Sequence, residues 1–465
     1  MSMKRNFAFI ADHFLLYSRK IYPIRVSPCF ITTRRSFHFA GNEKLKHFTI
    51  LRSQHFSSQN YIQKSINDPQ LTIKDVKQRL SEIMGVRKGF SEPPNRSNLL
   101  QYLPETQDEL PFRSMKDSFV TALIPLSTDR ILQDKYMTLM GNVRKGRLLE
   151  DMDIFAVWTC VKYINNPKMK ADEFFPYSIV TAAVNQITFK GWPCKVTDDM
   201  RISGQVQWVG KTSLEICVWL ESFISNEWKL FAKAYFIMVA RNSTNTTGAF
   251  VNKLKPEGAD EEETYAKAKE RMERRHLGKK KSLLTSHPTE IEQRIIHEMY
   301  MKTIDLNDPT LNRRILPDNS VWIESTKVAN MIFPHPEDRN SHNTMFGGLL
   351  MRLSSELSWI IATTYGKQRP TLRHISDITF KSPISINSFV QFEGQVVYTE
   401  LNYAQILVHC ELLDIMTNKM FTTNVFNYTY EYKGVLQNVV PQTYREAMML
   451  LDGRRHFQKV MERVF

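Results

Sequence analysis

The chain has no stretch approaching 18 uninterrupted apolar residues, so a membrane-spanning helix is not expected. Its five cysteines, Cys29, Cys160, Cys194, Cys217 and Cys410, are odd in number, scattered and without metal-ligand spacing. Neither a disulfide framework nor a thiolate metal site follows from that pattern. The thiols read as small buried hydrophobes in a reducing compartment. No Gly-x-Ser-x-Gly elbow exists, which argues against an α/β-hydrolase serine nucleophile. Gly141 to Gly146 has the spacing of a phosphate loop, but Arg147-Leu148 stands where Lys-Ser/Thr is required. His297-Glu298 is not followed by the second His of a zincin helix. No metal and no cofactor is expected.

Acidic residues are scarce at one end. Residues 1–60 carry ten Lys and Arg against only Asp12 and Glu43, which accounts for +8 of the formal charge of +14. The remaining +6 is spread over a far longer body, so nucleic-acid binding by that body is not expected. An Arg- and Phe-rich, acid-poor segment ahead of a folded domain fits a mitochondrial transit peptide, with matrix delivery. A secretory signal fits worse, because Asp12 and His13 interrupt the apolar run from Phe7 to Tyr17.

The body repeats itself. Ile187-Thr188-Phe189-Lys190 recurs as Ile378-Thr379-Phe380-Lys381, an offset of 191; Gly204-Gln205-Val206 recurs as Gly394-Gln395-Val396, an offset of 190. Lys229, Phe231 and Phe236 recur as Lys419, Phe421 and Phe426, again at 190. Three matches in one order at nearly one offset imply a duplication. Each copy opens on a Gly-led apolar helix, about 146–163 and about 348–364. Strand-like runs follow at about 177–190, 202–209, 213–222 and 228–240 in the first copy, and at about 372–381, 389–398, 403–413 and 419–431 in the second. The helices are apolar almost all round, so they must be buried on most sides. A long buried helix followed by antiparallel-type strands is an α+β unit, a sheet curled around its helix.

The segment entering the second helix reads Asn340, Ser341 to Met345, then Phe346-Gly347-Gly348-Leu349-Leu350-Met351. It resembles the Asn-…-Phe-Gly-Gly-x-(Leu/Ile)-Met run of hotdog-fold acyl-CoA thioesterases. Gly141-Asn142-Val143-Arg144, Trp208 to Ser213, Met238-Val239-Ala240-Arg241 and Leu451 to Phe457 sharpen the match to the double-hotdog thioesterases of mitochondria. The resemblance spans about 115–460.

It implies tandem hotdog domains paired as an intramolecular pseudo-dimer, acyl-CoA bound between them, and chains associating into a homo-oligomer. It also implies a catalytic pair: an Asn eight residues before the second Gly of one helix, and an acid seven residues after the matching Gly of the other. Asn340 precedes Gly348 by eight and Asp153 follows Gly146 by seven, whereas the reciprocal positions hold Thr138 and Ser355. One composite site thus keeps both groups and the other keeps neither.

The chemistry agrees with that assignment. Glycines at a helix start allow close approach, and the free N–H groups of that first turn, here Gly347 and Gly348, can stabilise a thioester oxyanion. A carboxylate such as Asp153 can serve as general base or as nucleophile. On the helix it falls among Leu149, Ala156, Val157 and Cys160, where a charge is costly without a partner or a function. Glu356, one residue past the acid position, reads as structural. Lys211 and Arg241 are candidates to meet the phosphates of CoA.

The expected organisation is a leader over 1–60, an extension over 61–114, hotdog domains over 115–250 and 318–433, a helical linker over 251–317 and a helical tail over 434–465. The expected activity is hydrolysis of fatty acyl-CoA to free fatty acid and CoA in mitochondria. Two alternatives compete. A hotdog dehydratase would want a catalytic His that neither helix carries. A non-catalytic acyl-CoA-binding protein draws on Thr138 and Ser355, and retention of Asn340 with Asp153 argues against it.

Overall fold

A computed structural model describes residues 71–464 except 87–94, 171–172, 281, 306, 309, 311–312, 341–343, 387 and 415. The expected leader over 1–60 lies outside the described residues, as does Cys29. After α1 (Ile73–Ile83) the first half runs β1 (Val120–Ile124), α2 (Arg130–Tyr136), α3 (Lys145–Tyr163), β2 (Tyr177–Phe189), β3 (Met200–Val209), β4 (Ser213–Ile224) and β5 (Glu227–Asn242). Helices α4 (Ala259–Lys280) and α5 (Glu290–Met301) form the connection. The second half runs β6 (Ser320–Trp322), β7 (Val328–Ile332), α6 (Gly347–Gly366), β8 (Thr371–Thr379), β9 (Phe389–Glu400), β10 (Tyr403–Asp414) and β11 (Lys419–Glu431). The strand β12 (Asn438–Val440) and the helix α7 (Tyr444–Val464) close the described chain.

The eight long strands fall where the alternation of Val, Ile, Phe, Tyr and Trp predicts them, to within two residues. The structure adds the short strands β1, β6, β7 and β12. β1 and β7 are five residues long and β7 is largely exposed, so neither carries a period of apolar residues long enough to read. At the β4–β5 hairpin Ser225 and Asn226 both adopt positive φ, 53° and 62°. That is the type I′ conformation whose twist matches the strands it joins.

Ten strands form one antiparallel sheet in the order β1-β3-β4-β5-β2-β8-β11-β10-β9-β7. Read from its two ends the order is the same, with β1 matching β7, β3 matching β9, β4 matching β10, β5 matching β11, and β2 matching β8. The central seam pairs Ala183 with Thr379, Val184 with Ile378, Ile187 with Ile375 and Thr188 with His374. Under the 191-residue offset the first of these pairs becomes the fourth, and the second becomes the third. A self-complementary register of this kind is what a two-fold axis between copies of one unit requires.

Helices α3 and α6 pack against each other and against the sheet. Leu148, Leu149, Met152, Phe155 and Trp158 are buried in α3, as are Leu349, Leu350, Met351, Leu357 and Ile361 in α6. Each such side chain contributes about 1.5–3 kcal/mol by leaving water, which holds two helices of weak amphipathicity in place. On the outer side of α3, Lys77 from α1 pairs with the buried Asp151 at 2.6 Å, and the Tyr136 hydroxyl donates to the same carboxylate. The connection between the halves lies against the sheet, with Arg271 of α4 bonded to Glu215 of β4 and Gln207 of β3. Cys160, Cys194, Cys217 and Cys410 are buried free thiols. Among the described residues, no helix is long and apolar enough to cross a membrane.

Candidate active site

Asp153 lies two turns into α3, 3% exposed. Both carboxylate oxygens are bonded: Oδ1 accepts from Thr181 Oγ1 at 2.6 Å, and Oδ2 accepts from the Gly348 N–H at 2.7 Å. The second bond crosses from the first half to the second. Burial pushes the Asp153 carboxyl up to about 6; the Thr181 and Gly348 bonds pull it back, and the nearby Glu150 charge pushes it up again. A carboxylate balanced there is ionised at neutral pH yet basic enough to accept a proton.

The glycines of α6 make this contact possible. A Cβ on Gly348 would stand 2.9 Å from Glu150 Cα and 3.0 Å from Asp153 Cβ, so any side chain would push the two helices apart. A Cβ on Gly347 would stand 3.1 Å from the Phe380 ring and 3.4 Å from Asp153 Oδ2. Helix α6 has no side-chain cap of its own at Phe346 and no acid in its first turn. The carboxylate of Asp153 therefore supplies the negative charge that a helix N-terminus favours. The Gly348 N–H, expected to meet an oxyanion, is here the group that steadies the carboxylate.

Asn340 stands on the loop entering α6. Its N–H donates to Thr344 O at 2.8 Å, its Oδ1 accepts from the Thr344 N–H at 3.1 Å, and its Nδ2 donates to Thr344 Oγ1 at 2.7 Å. The same clip recurs in the first half. There the Thr138 N–H donates to Asn142 O at 2.9 Å, and Thr138 Oγ1 accepts from the Asn142 N–H at 3.2 Å. The reciprocal position of Asn340 is therefore equivalent in fold as well as in spacing.

Of the other expected residues, Arg241 donates from Nη2 to Asn245 O and Thr246 O, both at 3.0 Å, and so braces its own turn. Lys211 is exposed on the β3–β4 turn. Register places that turn at the end of the sheet where Thr181 lies, since Ser213 pairs with Val239 and Val239 with Val180. Glu356 pairs with Arg144 at 2.5 Å. Sequence reasoning did not single out Thr181. Its only signal was a hydroxyl within the apolar run Ile179 to Val184, and no spacing rule could name its partner on helix α3. Among the described residues no cluster of His, Cys, Asp and Glu could hold a metal ion.

No family model matches the chain. Over 392 residues it is 38% identical to the acyl-coenzyme A thioesterase 9, mitochondrial, of Homo sapiens, covering 83% of this chain and 89% of that one. It is 36% identical over 404 residues to the acyl-coenzyme A thioesterase 10, mitochondrial, of Mus musculus, covering 86% and 91%. A solved acyl-CoA hydrolase of Staphylococcus aureus matches 31% of this chain and 92% of that one, at 21% identity and a TM-score of 0.30. The two mitochondrial relatives align along nearly their whole length, and the run from Asn340 through Gly348 lies within the stretch that resembles them: the chain belongs to the acyl-coenzyme A thioesterase family.

Proposed function

We propose that the chain is a mitochondrial enzyme hydrolysing acyl-CoA thioesters at one composite site, made by Asp153 of α3 and the N-terminal turn of α6. The observation that carries the reading is the buried Asp153 carboxylate bonded across the two halves to the Gly348 N–H. A buried carboxylate raises its own desolvation cost, and this one sits where a thioester carbonyl could lie against a helix N-terminus. The self-complementary β2–β8 seam supports the finer architecture: hotdog domains over 115–250 and 318–433 joined as an intramolecular pseudo-dimer by the linker over 251–317, with an extension over 61–114 and a tail over 434–465. Import directed by residues 1–60, a matrix location, fatty acyl chains as substrates and homo-oligomer formation complete the proposal.

In this mechanism the acyl carbonyl lies between the two helices, with the Asn340 amide and the Gly347 N–H donating to its oxygen as charge develops there. Ionised Asp153 takes a proton from water as that water attacks. A C–O bond forms, the C–S bond breaks, and the proton passes to the departing thiolate. If Asp153 attacks directly, its oxygen bonds the acyl carbon, the C–S bond breaks and the CoA thiolate leaves; water then opens the anhydride, freeing the acid and the Asp153 carboxylate, and the proton released goes to the thiolate. Lys211 and Arg241 lie toward the end of the sheet where the CoA phosphates would leave the site. The test is thiol release from a chain-length series of acyl-CoA esters. In single-turnover hydrolysis in ¹⁸O-water, label in the Asp153 carboxyl establishes direct attack with the anhydride opened at its aspartyl carbonyl. An absence of thiol release with every ester would remove the reading.

A further inference from the structure

An offset of 202 relates the two core helices, Gly146 to Gly348, Asp153 to Ser355 and Glu150 to Arg352. On either side of their crossing the corners differ, with Lys145 for Gly347 and, under the 191-residue offset of the strands, Leu372 for Thr181. At the crossing itself equivalent positions meet. A Cβ on Gly348 would stand 2.9 Å from Glu150 Cα and 3.1 Å from Glu150 O, and one on Gly146 would stand 3.2 Å from Arg352 Cγ and 3.4 Å from Arg352 O. Glu150 and Arg352 form an ion pair across that crossing, Oε2 to Nε at 3.0 Å, with each side chain 19% exposed.

In a pair of identical chains a position beside the two-fold axis faces its own copy, so Glu would meet Glu and Arg would meet Arg. Here one is an acid and the other a base. The pair is the centre of an alternating row, Arg147, Glu150, Arg352, Glu356 and Arg144, with neighbours 2.7, 3.0, 4.0 and 2.5 Å apart. A pair this shielded is screened less than one on the surface. It also lies one turn from both partners of the contact between the halves. Glu150 is three residues before Asp153 on α3, and Arg352 is four after Gly348 on α6. The Gly348 N–H is the donor to Asp153 Oδ2.

We infer that Glu150 and Arg352 are positioning residues for the hydrolysis, holding the α6 N-terminus against the turn that carries Asp153 and balancing the charge beside its carboxylate. What Asp153 does there rests on the thioesterase reading; the pairing rests on the geometry. Burial is the main cause of the raised Asp153 carboxyl, the Thr181 and Gly348 bonds oppose it, and the Glu150 charge adds to it. Arg352 offsets that charge from the other half. The groups facing Glu150 are Arg147 on its own helix, Tyr136 on α2 and Arg352 on α6. Those facing Asp153 are Glu150 on its own helix, Thr181 on β2 and the Gly348 N–H on α6.

The experiment breaks the pair from each side and follows thiol release against pH in the full chain. Glu150→Gln and Arg352→Met should each lower kcat about tenfold, the scale of one charge-assisted contact, and change KM less. Their pH–rate profiles should move apart. Without Glu150 the Asp153 carboxyl loses a charge that raises it, so the acidic limb moves to lower pH. Without Arg352 the Glu150 charge is less offset, so the limb moves to higher pH. A bridge that only braced the fold would not separate the two. Arg352→Lys keeps the charge; it should lose less turnover than Arg352→Met and leave the limb in place, which guards against a Met variant that fails to fold. The same opposed shifts are read without turnover from the Asp153 carboxyl in ¹³C NMR, identified as the signal missing from Asp153→Asn. Limbs and carboxyl titrations that move together or not at all, or a loss confined to KM, overturn the proposal. A wild-type chain that releases no thiol removes the thioesterase reading, and the NMR titration then decides the charge balance on its own.

Discussion

The two corners where α3 and α6 meet began as equivalent positions and now differ in every group that matters. One holds Asp153, Thr181, Gly347 and Asn340; the other holds Ser355, Leu372, Lys145 and Thr138. The backbone around them stayed the same. The Asn340–Thr344 and Thr138–Asn142 clips share a backbone N–H to carbonyl bond and a side-chain oxygen accepting from a backbone N–H, and Val143 and Met345 donate to Cys194 in the β2–β3 loop and to Ile384 in the β8–β9 loop. On the proposed reading, the difference teaches that a corner loses its chemistry by side-chain replacement alone while the loop that presents it keeps its backbone bonds.

The largest way to test that difference is to make the active corner resemble its counterpart. Asp153→Asn should lower turnover by at least about 10²-fold, because it removes the base or nucleophile. Asn340→Ala should cost a comparable factor through loss of a carbonyl contact. Combining the two should cost little more than either alone, since both serve one transition state. Steady-state kinetics on the three variants checks this; fully additive losses would place the residues in separate steps.

Thr181→Val imports the apolar character of Leu372 and should slow turnover about tenfold. It should also move the acidic limb of the pH–rate profile upward. If Asp153 must be ionised to act, the wild-type limb is expected near pH 6, where burial holds its carboxyl. The Thr181 bond lowers that value, so its loss raises it. An unmoved limb would show that the limb reports another group.

Stability should change in the opposite direction from activity. Asp153 holds its proton more tightly folded, at about 6, than at the ordinary 3.8. Its contribution is therefore most favourable below about pH 4, falls as pH rises toward 6, and stays low above that. A two-unit shift corresponds to about 3 kcal/mol. Asp153→Asn, which can still accept from Gly348 and donate to Thr181, should melt several degrees higher than wild type at pH 8. At pH 4 the two should melt together. A lower melting point at pH 8 would mean that the carboxylate is a net stabiliser. The smallest effect is expected at the silent corner, where Thr138→Ala should leave turnover within a few-fold of wild type.

Much of the fold was legible because long buried elements write long periods. The eight central strands and both core helices follow from runs of Val, Ile, Phe and Leu, and the duplication follows from Ile187 to Lys190 against Ile378 to Lys381. The edge strands were not legible, since five residues, mostly exposed in β7, carry no period. At the site, Asp153 stood out as a charge on an apolar face, and the glycines stood out by their place at a helix start. Thr181 did not, because its meaning lies in a partner 28 residues away across a loop. Nor did Lys77, whose ion pair with Asp151 joins the extension to α3 over a separation that no local rule spans. The alternating Tyr428 and Tyr430 were readable as strand residues. Their hydroxyl contacts with Ser354 and Ser358, at helical spacing on α6, emerge only when helix and strand are laid together.

The seam between β2 and β8 has a consequence for dilution. Two separate copies joined along such a register would be held together only at sufficient concentration, and each would fall apart from its partner as the solution thinned. Here the segment carrying α4 and α5 ties the two halves into one molecule, so the encounter is intramolecular and the seam keeps its occupancy at any protein concentration. A substitution at Val184 or Ile187 likewise enters the seam once, where in a pair of identical chains it would enter twice.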